Sequence, residues 1–317
     1  MWASRLERKL GEQALWVVIM EQVRLRYFLE LVRFSHTIFA MPFALLSAVM
    51  AWWLNSRQGL VLGWKPWAGV VLCMVFARTA AMAFNRLADQ KVDSKNPRTT
   101  NRHLPQGLLS RRAVWFFFCL NAMGFVASSC LFYPNPWPAR LSIPVLLFLC
   151  SYSYSKRFTV LAHFWLGTSL MLAPVAAWIA LRGQPGSLHL EWAPILLGAV
   201  VLFWVAGFDI IYACQDEVFD RKHRLRSIPA WLGARRALQV ACFCHVIMVL
   251  SLVILAAVFP WGKFFYTGIV CIAALLVYEH SLVRPGELDR VNLAFFHVNS
   301  IISMGLLLIG AADLLLR

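Results

Sequence analysis

The sequence predicts an all-α integral membrane protein with about nine transmembrane helices, and two observations support this. First, 60% of the 317 residues are hydrophobic and 14% are charged, with a mean hydropathy of +0.66. A water-soluble domain of this length is less apolar. Second, the apolar residues form continuous runs of the length that a membrane-spanning helix needs, about 20 residues. Strands of a membrane β-barrel would instead alternate apolar and polar residues.

Nine apolar segments are predicted to span the membrane, the fourth being short. They are residues 36–54, 66–84, 113–132, 141–154, 160–181, 193–213, 237–259, 263–280 and 297–315. Residues 1–35 are basic and amphipathic, and their apolar patch ALWVVIM is followed by Glu21 with no small-residue cleavage site. We therefore expect an interfacial helix in 1–35 rather than a signal peptide, and a single transmembrane domain over 36–317.

Lys and Arg are concentrated before the first segment and after the even-numbered ones. Cytoplasmic loops carry this excess, so we expect a cytoplasmic N-terminus and an external C-terminus. We also expect the protein to lie in a bacterial inner membrane. The net charge of +15 then follows from topology and gives no support to nucleic-acid binding. The eight Cys lie in or beside apolar segments without a CxxC pair, which favours core positions over metal ligands or disulfides.

Acidic residues recur at the ends of two predicted helices. They form two sets: Asn85, Asp89 and Asp93 in NRLADQKVD, and Asp209, Asp216 and Asp220 in DIIYACQDEVFDRK. Spacings of four and seven place the members of each set on one helix face. Both sets leave the membrane on the cytoplasmic side, at helix C-termini where the macrodipole disfavours carboxylates. A solvated helix end is therefore a weak explanation for both.

Two facing acidic stripes repel each other unless cations lie between them. Mg²⁺ prefers oxygen ligands and is usually held by one or two carboxylates together with substrate phosphates. The sequence thus predicts two Mg²⁺ ions bridged by a diphosphate. The predicted metal ligands are Asn85, Asp89, Asp93, Asp216 and Asp220.

Basic residues beside the acidic sets are candidates for clamping phosphate oxygens. They are Lys91, Arg98, Arg102 and Arg226. Each is also explained by the general excess of positive charge in cytoplasmic loops.

The two motifs resemble the NxxxDxxxD and YxxxDxxxD motifs of the UbiA superfamily of intramembrane aromatic prenyltransferases, and the resemblance extends from about Arg33 to the C-terminus. It implies a helical bundle with a central cavity. It also implies Mg²⁺-dependent transfer of a polyprenyl group from a polyprenyl diphosphate to an aromatic hydroxy-carboxylate, ortho to the hydroxyl. The polyprenyl tail would enter from the lipid bilayer.

Several shorter segments are similar to the MqnP-type branch, which serves menaquinone synthesis and acts on a dihydroxynaphthoate. They include FSHTIFAMPFALL (34–46), NPRTTNRHLPQGLLS (96–110) and RLRSIPAWLG (224–233). Close relatives use 4-hydroxybenzoate for ubiquinone, and both acceptors carry a carboxylate and a phenolic hydroxyl. Arg226 departs from the Lys of many 4-hydroxybenzoate enzymes, so the branch and the details of phosphate binding stay open.

The resemblance suggests roles for further residues. Asp209 and Tyr212 would orient the acceptor or stabilise the allylic cation, the Tyr through its ring face, and Lys156 resembles a basic residue near the diphosphate. Arg33 is a candidate for the acceptor carboxylate, although a snorkelling interfacial Arg is the alternative. Arg78 lies in an apolar helix, where charge is costly, and is expected to pair with a pocket acid or phosphate.

Two other classes of protein use similar residues. An ion- or proton-coupled transporter would hold its acids near helix midpoints in broken helices, whereas these acids lie at helix ends. CDP-alcohol phosphotransferases also use DxxxD, but their preceding Asp-Gly and Ala-Arg elements are missing from both sets. The sequence therefore favours the prenyltransferase.

Overall fold

The computed structural model describes residues 26–31, 39–183, 191–283 and 294–317. Within these ranges the chain is helical and contains no strand. Of the predicted interfacial segment, only residues 26–31 are described, and they are helical. Arg33 lies outside the described residues.

Besides the helical residues 26–31, eleven α-helices are described, nine of them with 17 residues or more. They are α1 (Met41–Arg57), α2 (Trp64–Asp93), α3 (Arg111–Ser129), α4 (Trp137–Phe158), α5 (Ala162–Arg182), α6 (Trp192–Ala213), α7 (Glu217–Lys222), α8 (Ile228–Leu232), α9 (Ala234–Val258), α10 (Lys263–Leu282) and α11 (Asn299–Leu315). Each long helix overlaps one predicted apolar segment, so the all-helical prediction is confirmed. Seven satisfy both length and composition for crossing a membrane. The other two are the 17-residue α1 and the serine-rich α4.

Helix α6 lies at the centre of the bundle and is the most buried of the seven. It packs against α5 on one side and α9 on the other, while α2 packs against α3 and α4. The close approach of α5 and α6 depends on Gly167, because a Cβ there would overlap the backbone carbonyl oxygen of Leu202. This packing brings the C-terminal ends of α2, α4 and α6 together.

A buried polar network fixes α6 against α10 and α11. The indole Nε1 of Trp204 donates to Asn299 Oδ1 at 2.6 Å, and Asn299 Nδ2 donates to Glu279 Oε1 at 2.7 Å. All three side chains are fully buried. Because buried polar groups must be paired, the network allows few alternative positions of α6 along its axis.

The connection between α2 and α3 folds back over the end of α2. Thr99 Oγ1 donates to the Asp93 carbonyl oxygen at 3.1 Å, and Leu104 is buried in a small apolar cluster with Leu31. This connection therefore covers the helix end that carries the first acidic set.

Candidate active site

The first acidic set lies in the last turns of α2, a helix longer than the hydrocarbon core of a membrane. Thirty residues of α-helix extend about 45 Å at about 1.5 Å per residue, longer than the hydrocarbon core of about 30 Å. Asn85, Asp89 and Asp93 occupy the last turns and line one polar cavity of about 180 Å³. The predicted spacing on one helix face thus leads to one shared cavity.

The second acidic set follows a less regular path than the sequence predicts. Helix α6 ends at Ala213, a 3₁₀ turn covers Cys214–Asp216, and α7 begins at Glu217. The expected continuous α-helical stripe is therefore wrong, because the 3₁₀ turn changes the helical repeat. Asp209, Asp216 and Asp220 nevertheless line the same polar cavity as the first set.

The connection after α2 joins the two acidic sets directly. Arg98 Nε donates to Asp216 Oδ1 at 2.9 Å, its Nη2 contacts Oδ2, and Asn96 Nδ2 donates to Oδ1 at 3.1 Å. Arg98 Nη1 also donates to the Tyr212 hydroxyl at 2.8 Å. Burial opposes the charge of Arg98, but the contact with Asp216 outweighs it and raises the pKa of Arg98 above its ordinary value.

Two carboxylates of the first set also have cationic partners. Arg102 Nη1 contacts both Asp93 oxygens, at 2.7 and 2.6 Å. Asp89 accepts from Asn85 Nδ2 at 2.9 Å and lies 3.5 Å from Arg157 Nη2. The negative charge of Asp93 is therefore offset by Arg102 from the connection after α2, and that of Asp89 by Arg157 from α4.

In the second set, Asp220 and Asp209 have partners from different helices. Asp220 Oδ2 accepts from Ser227 Oγ at 2.8 Å and lies 3.9 Å from Lys156 Nζ. Asp209 Oδ2 lies 2.7 Å from His163 Nδ1. Lys156 thus lines the polar cavity.

Acids and bases are nearly balanced on the wall of the polar cavity. Five carboxylates and four cations line it: Asp89, Asp93, Asp209, Asp216 and Asp220, with Arg98, Arg102, Lys156 and Arg157. With all nine ionised, five negative and four positive charges leave a net charge of −1. The wall therefore offers oxygen ligands for cations and guanidinium donors for phosphate oxygens.

A larger apolar cavity of about 510 Å³ adjoins the polar one. Both cavities are lined by Asn85, Arg102, Tyr152, Asp209 and Tyr212. Along α4 the apolar wall runs from Tyr152 to Pro138, about 21 Å at about 1.5 Å per residue. Phe132 and Ile179 line its far end. The combined space suits a ligand with an anionic head and a long apolar tail.

Some predicted site residues do not reach the polar cavity. Lys91 is exposed on α2, and Arg226 is exposed with its Nη1 donating to the Phe158 carbonyl oxygen at 2.6 Å. Neither lines either cavity. Arg78 lines the apolar cavity, seven residues before Asn85 on α2. The structure does not gather Lys91, Arg226 or Arg78 with the acidic sets.

Sequence reasoning missed several residues that line or support the polar cavity. Asn96 lies in the segment 96–110 that resembles the family, and Arg157 directly follows the predicted Lys156. His163 gave a weaker signal, a single imidazole at the start of an apolar helix. All three become identifiable once the helices are packed together.

The donor set around the polar cavity fits Mg²⁺. The predicted ligands supply carboxylate and amide oxygens, which a hard cation prefers. Among the described residues, no group of three His, Cys, Asp or Glu is arranged to hold a metal. One or two carboxylates of the polar cavity would therefore supply part of the coordination of Mg²⁺, and substrate phosphates and water would supply the rest.

A membrane helix bundle in which a charged cavity adjoins a deep apolar cavity is typical of an intramembrane enzyme. The model of the UbiA prenyltransferase family matches residues 40–301, and the chain belongs to this family. The predicted family and prenyltransferase class are therefore confirmed. The chain is an integral membrane protein.

Curated relatives and solved structures agree with this assignment. The chain is 30% identical over 242 residues to a 4-hydroxybenzoate octaprenyltransferase of Nitrosomonas europaea, covering 75% of this chain and 80% of the relative. It is 28% identical over 257 residues to one of Vibrio campbellii, covering 80% and 87%.

Among solved structures, an apo UbiA homolog from Aeropyrum pernix K1 has 29% identity and a TM-score of 0.76, with 89% of this chain and 97% of that chain covered. A UbiA homolog from Archaeoglobus fulgidus bound to DMAPP and Mg²⁺ has 19% identity and a TM-score of 0.68, with 92% and 99% covered. At this identity, the second likeness supports the fold alone.

Proposed function

We propose that this enzyme transfers a polyprenyl group from a polyprenyl diphosphate to an aromatic hydroxy-carboxylate in quinone biosynthesis, with Mg²⁺ as cofactor. The observation that carries the proposal is the junction of the two cavities. Two acidic helix ends and four cations surround the polar cavity, and the apolar cavity opens directly from it. A diphosphate head and an isoprenoid tail match these two environments.

The polar cavity would hold the diphosphate. Arg98, Arg102, Lys156 and the additional Arg157 would bind its oxygens, since guanidinium groups match phosphate geometry. Asn85, Asp89, Asp93, Asp216 and Asp220 would hold Mg²⁺. When bound, Mg²⁺ would offset the charge that develops on the leaving diphosphate.

The aromatic acceptor would bind at the junction, against Asp209 and Tyr212. The allylic C–O bond would break with its electron pair going to the diphosphate, and the ring carbon ortho to the hydroxyl would bond to the allylic carbon and lose its proton. Arg78 on the apolar wall would bind the acceptor carboxylate or pair with another pocket charge. The same carboxylate role is proposed for Arg33.

Two acceptors remain candidates. The names of the curated relatives favour 4-hydroxybenzoate and ubiquinone synthesis, whereas the segments similar to the MqnP-type branch favour dihydroxynaphthoate and menaquinone synthesis. Because those relatives are bacterial, we place the enzyme in a bacterial inner membrane. The distribution of Lys and Arg supports a cytoplasmic active site.

The test uses purified protein in detergent with a polyprenyl diphosphate and Mg²⁺. It is offered 4-hydroxybenzoate or 1,4-dihydroxy-6-naphthoate in separate reactions, and products are identified by mass spectrometry. One prenylated product, absent with EDTA, is expected, and its mass identifies the acceptor class. Failure to prenylate either acceptor, with the protein folded and the diphosphate bound, would overturn the proposal.

A further inference from the structure

We infer that His163 is a positioning residue that holds Asp209 in the orientation needed to bind the hydroxyl of the aromatic acceptor. His163 belongs to the first turn of α5 and Asp209 to the last turns of α6, 46 residues apart in sequence. The imidazole is fully buried. The Asp209 side chain is 16% exposed and lines both cavities. The inference rests on the proposed function.

The hydrogen-bond partners of His163 define its tautomer. The Ile228 backbone N–H, which can only donate, points to His163 Nε2 at 3.4 Å. Nε2 is then the acceptor and Nδ1 carries a proton, so Nδ1 donates to Asp209 Oδ2 at 2.7 Å. His163 therefore connects Asp209 to the backbone of Ile228.

The support for His163 comes from the start of α8. Ser227, the N-cap of α8, donates to Asp220 Oδ2 at 2.8 Å. The next residue, Ile228, donates its backbone N–H to His163 Nε2. The start of α8 thus contacts Asp220 directly through Ser227 and contacts Asp209 indirectly through His163. Two acids of the second set, Asp209 and Asp220, are therefore oriented from the start of the same short helix.

The arrangement leaves one Asp209 oxygen for a ligand. Oδ2 is occupied by His163, and within the described ranges Oδ1 has no hydrogen-bond partner. A carboxylate oxygen at the junction of the two cavities accepts a hydrogen bond from a phenolic hydroxyl and fixes which ring carbon faces the allylic carbon. A carboxylate held at only one oxygen by a buried donor has little rotational freedom, so the orientation is set before binding.

The test compares two substitutions at position 163. His163→Phe keeps the approximate shape and removes both polar atoms. His163→Asn places an amide nitrogen near the position of Nδ1 and so retains a donor to Asp209. We expect His163→Phe to lower kcat/KM for the acceptor by about 10-fold to about 100-fold, the effect of one hydrogen bond to a charged group. His163→Asn is expected to retain most of the wild-type kcat/KM for the acceptor.

Three further readouts separate positioning from general damage. The KM for the prenyl diphosphate should be unchanged in His163→Phe, and Thr168→Ala, elsewhere on α5, should leave both substrates unaffected. In an Asp209→Asn background, His163→Phe should have little additional effect, because it acts through Asp209.

The inference would be overturned if His163→Phe left kcat/KM for the acceptor unchanged, or if it impaired the kinetics of both substrates equally. It would also be overturned if the losses from His163→Phe and Asp209→Asn were additive in the double variant. A wild-type enzyme that prenylates no aromatic acceptor would instead overturn the proposed function.

Discussion

Arg98 and Lys91 test whether the tertiary structure identifies the diphosphate ligands better than sequence position does. Both are basic, both lie near the first acidic set, and the sequence predicts the same role for both. In the structure, Arg98 lines the polar cavity and contacts Asp216 and Tyr212, whereas Lys91 is exposed and lines neither cavity. Replacing each in turn should therefore give different results.

The expected magnitudes follow from these environments. A hydrogen bond to a charged group contributes about 1.5–3 kcal/mol, and about 1.4 kcal/mol corresponds to tenfold in rate. Because the Arg98 side chain is 29% exposed, solvent screening favours the lower part of that range. Arg98→Ala should therefore lower kcat/KM for the prenyl diphosphate by roughly 10-fold to 40-fold. Lys91→Ala is a surface change, and such changes typically alter the free energy by about 0.5 kcal/mol or less. It should therefore change kcat/KM for the prenyl diphosphate by about 2-fold or less.

The assay measures initial rates against prenyl diphosphate concentration at saturating acceptor and Mg²⁺. Arg98→Lys is the matched variant, because it keeps the charge but cannot span both Asp216 oxygens and the Tyr212 hydroxyl. It should lie between wild type and Arg98→Ala. Equal losses in Arg98→Ala and Lys91→Ala, or full activity in Arg98→Ala, would refute the assignment based on cavity lining.

Three other predictions follow from the site and the packing. Asp89→Asn should abolish product formation while the protein remains folded, and EDTA should do the same to wild type until Mg²⁺ is restored. Gly167→Ala should lower the thermal midpoint at a cost of about 1–3 kcal/mol, because α5 and α6 must separate. Gly305→Ala has open space around its Cβ and should be neutral or stabilising. Asn299→Leu should cost about 1–3 kcal/mol by leaving buried polar groups unpaired. Adding Glu279→Leu should recover part of that loss.

Each of these predictions has a result that contradicts it. Turnover at the wild-type rate in Asp89→Asn would remove this carboxylate from the metal site. A thermal midpoint for Gly167→Ala equal to that of Gly305→Ala would show that the two helices are not in tight contact. A further loss of stability in the double variant, measured by thermal unfolding in detergent, would show that Glu279 stabilises the bundle independently of Asn299.

The helices and the two motifs could be predicted because they depend on local properties. Lipid requires backbone groups to be satisfied within each segment, so apolar run length alone identifies all nine long helices in the described residues. Spacings of four along α2 likewise place Asn85, Asp89 and Asp93 on one face. The 3₁₀ turn at Cys214–Asp216 could not be predicted, because its residues carry no distinctive local signal.

The sequence by itself determined the membrane class and the acidic motifs, since these follow from composition and short-range spacing, and the resemblance of the two motifs identified the family. Only the tertiary structure decided that Arg98 meets Asp216, 118 residues away, that His163 holds Asp209, and that Lys91 lies outside the cavity. Helical periodicity fixes which residues share a face of one helix. It does not fix how each helix is rotated toward its neighbours, which is set by packing contacts such as Gly167 against α6 and by the folding back of the α2–α3 connection.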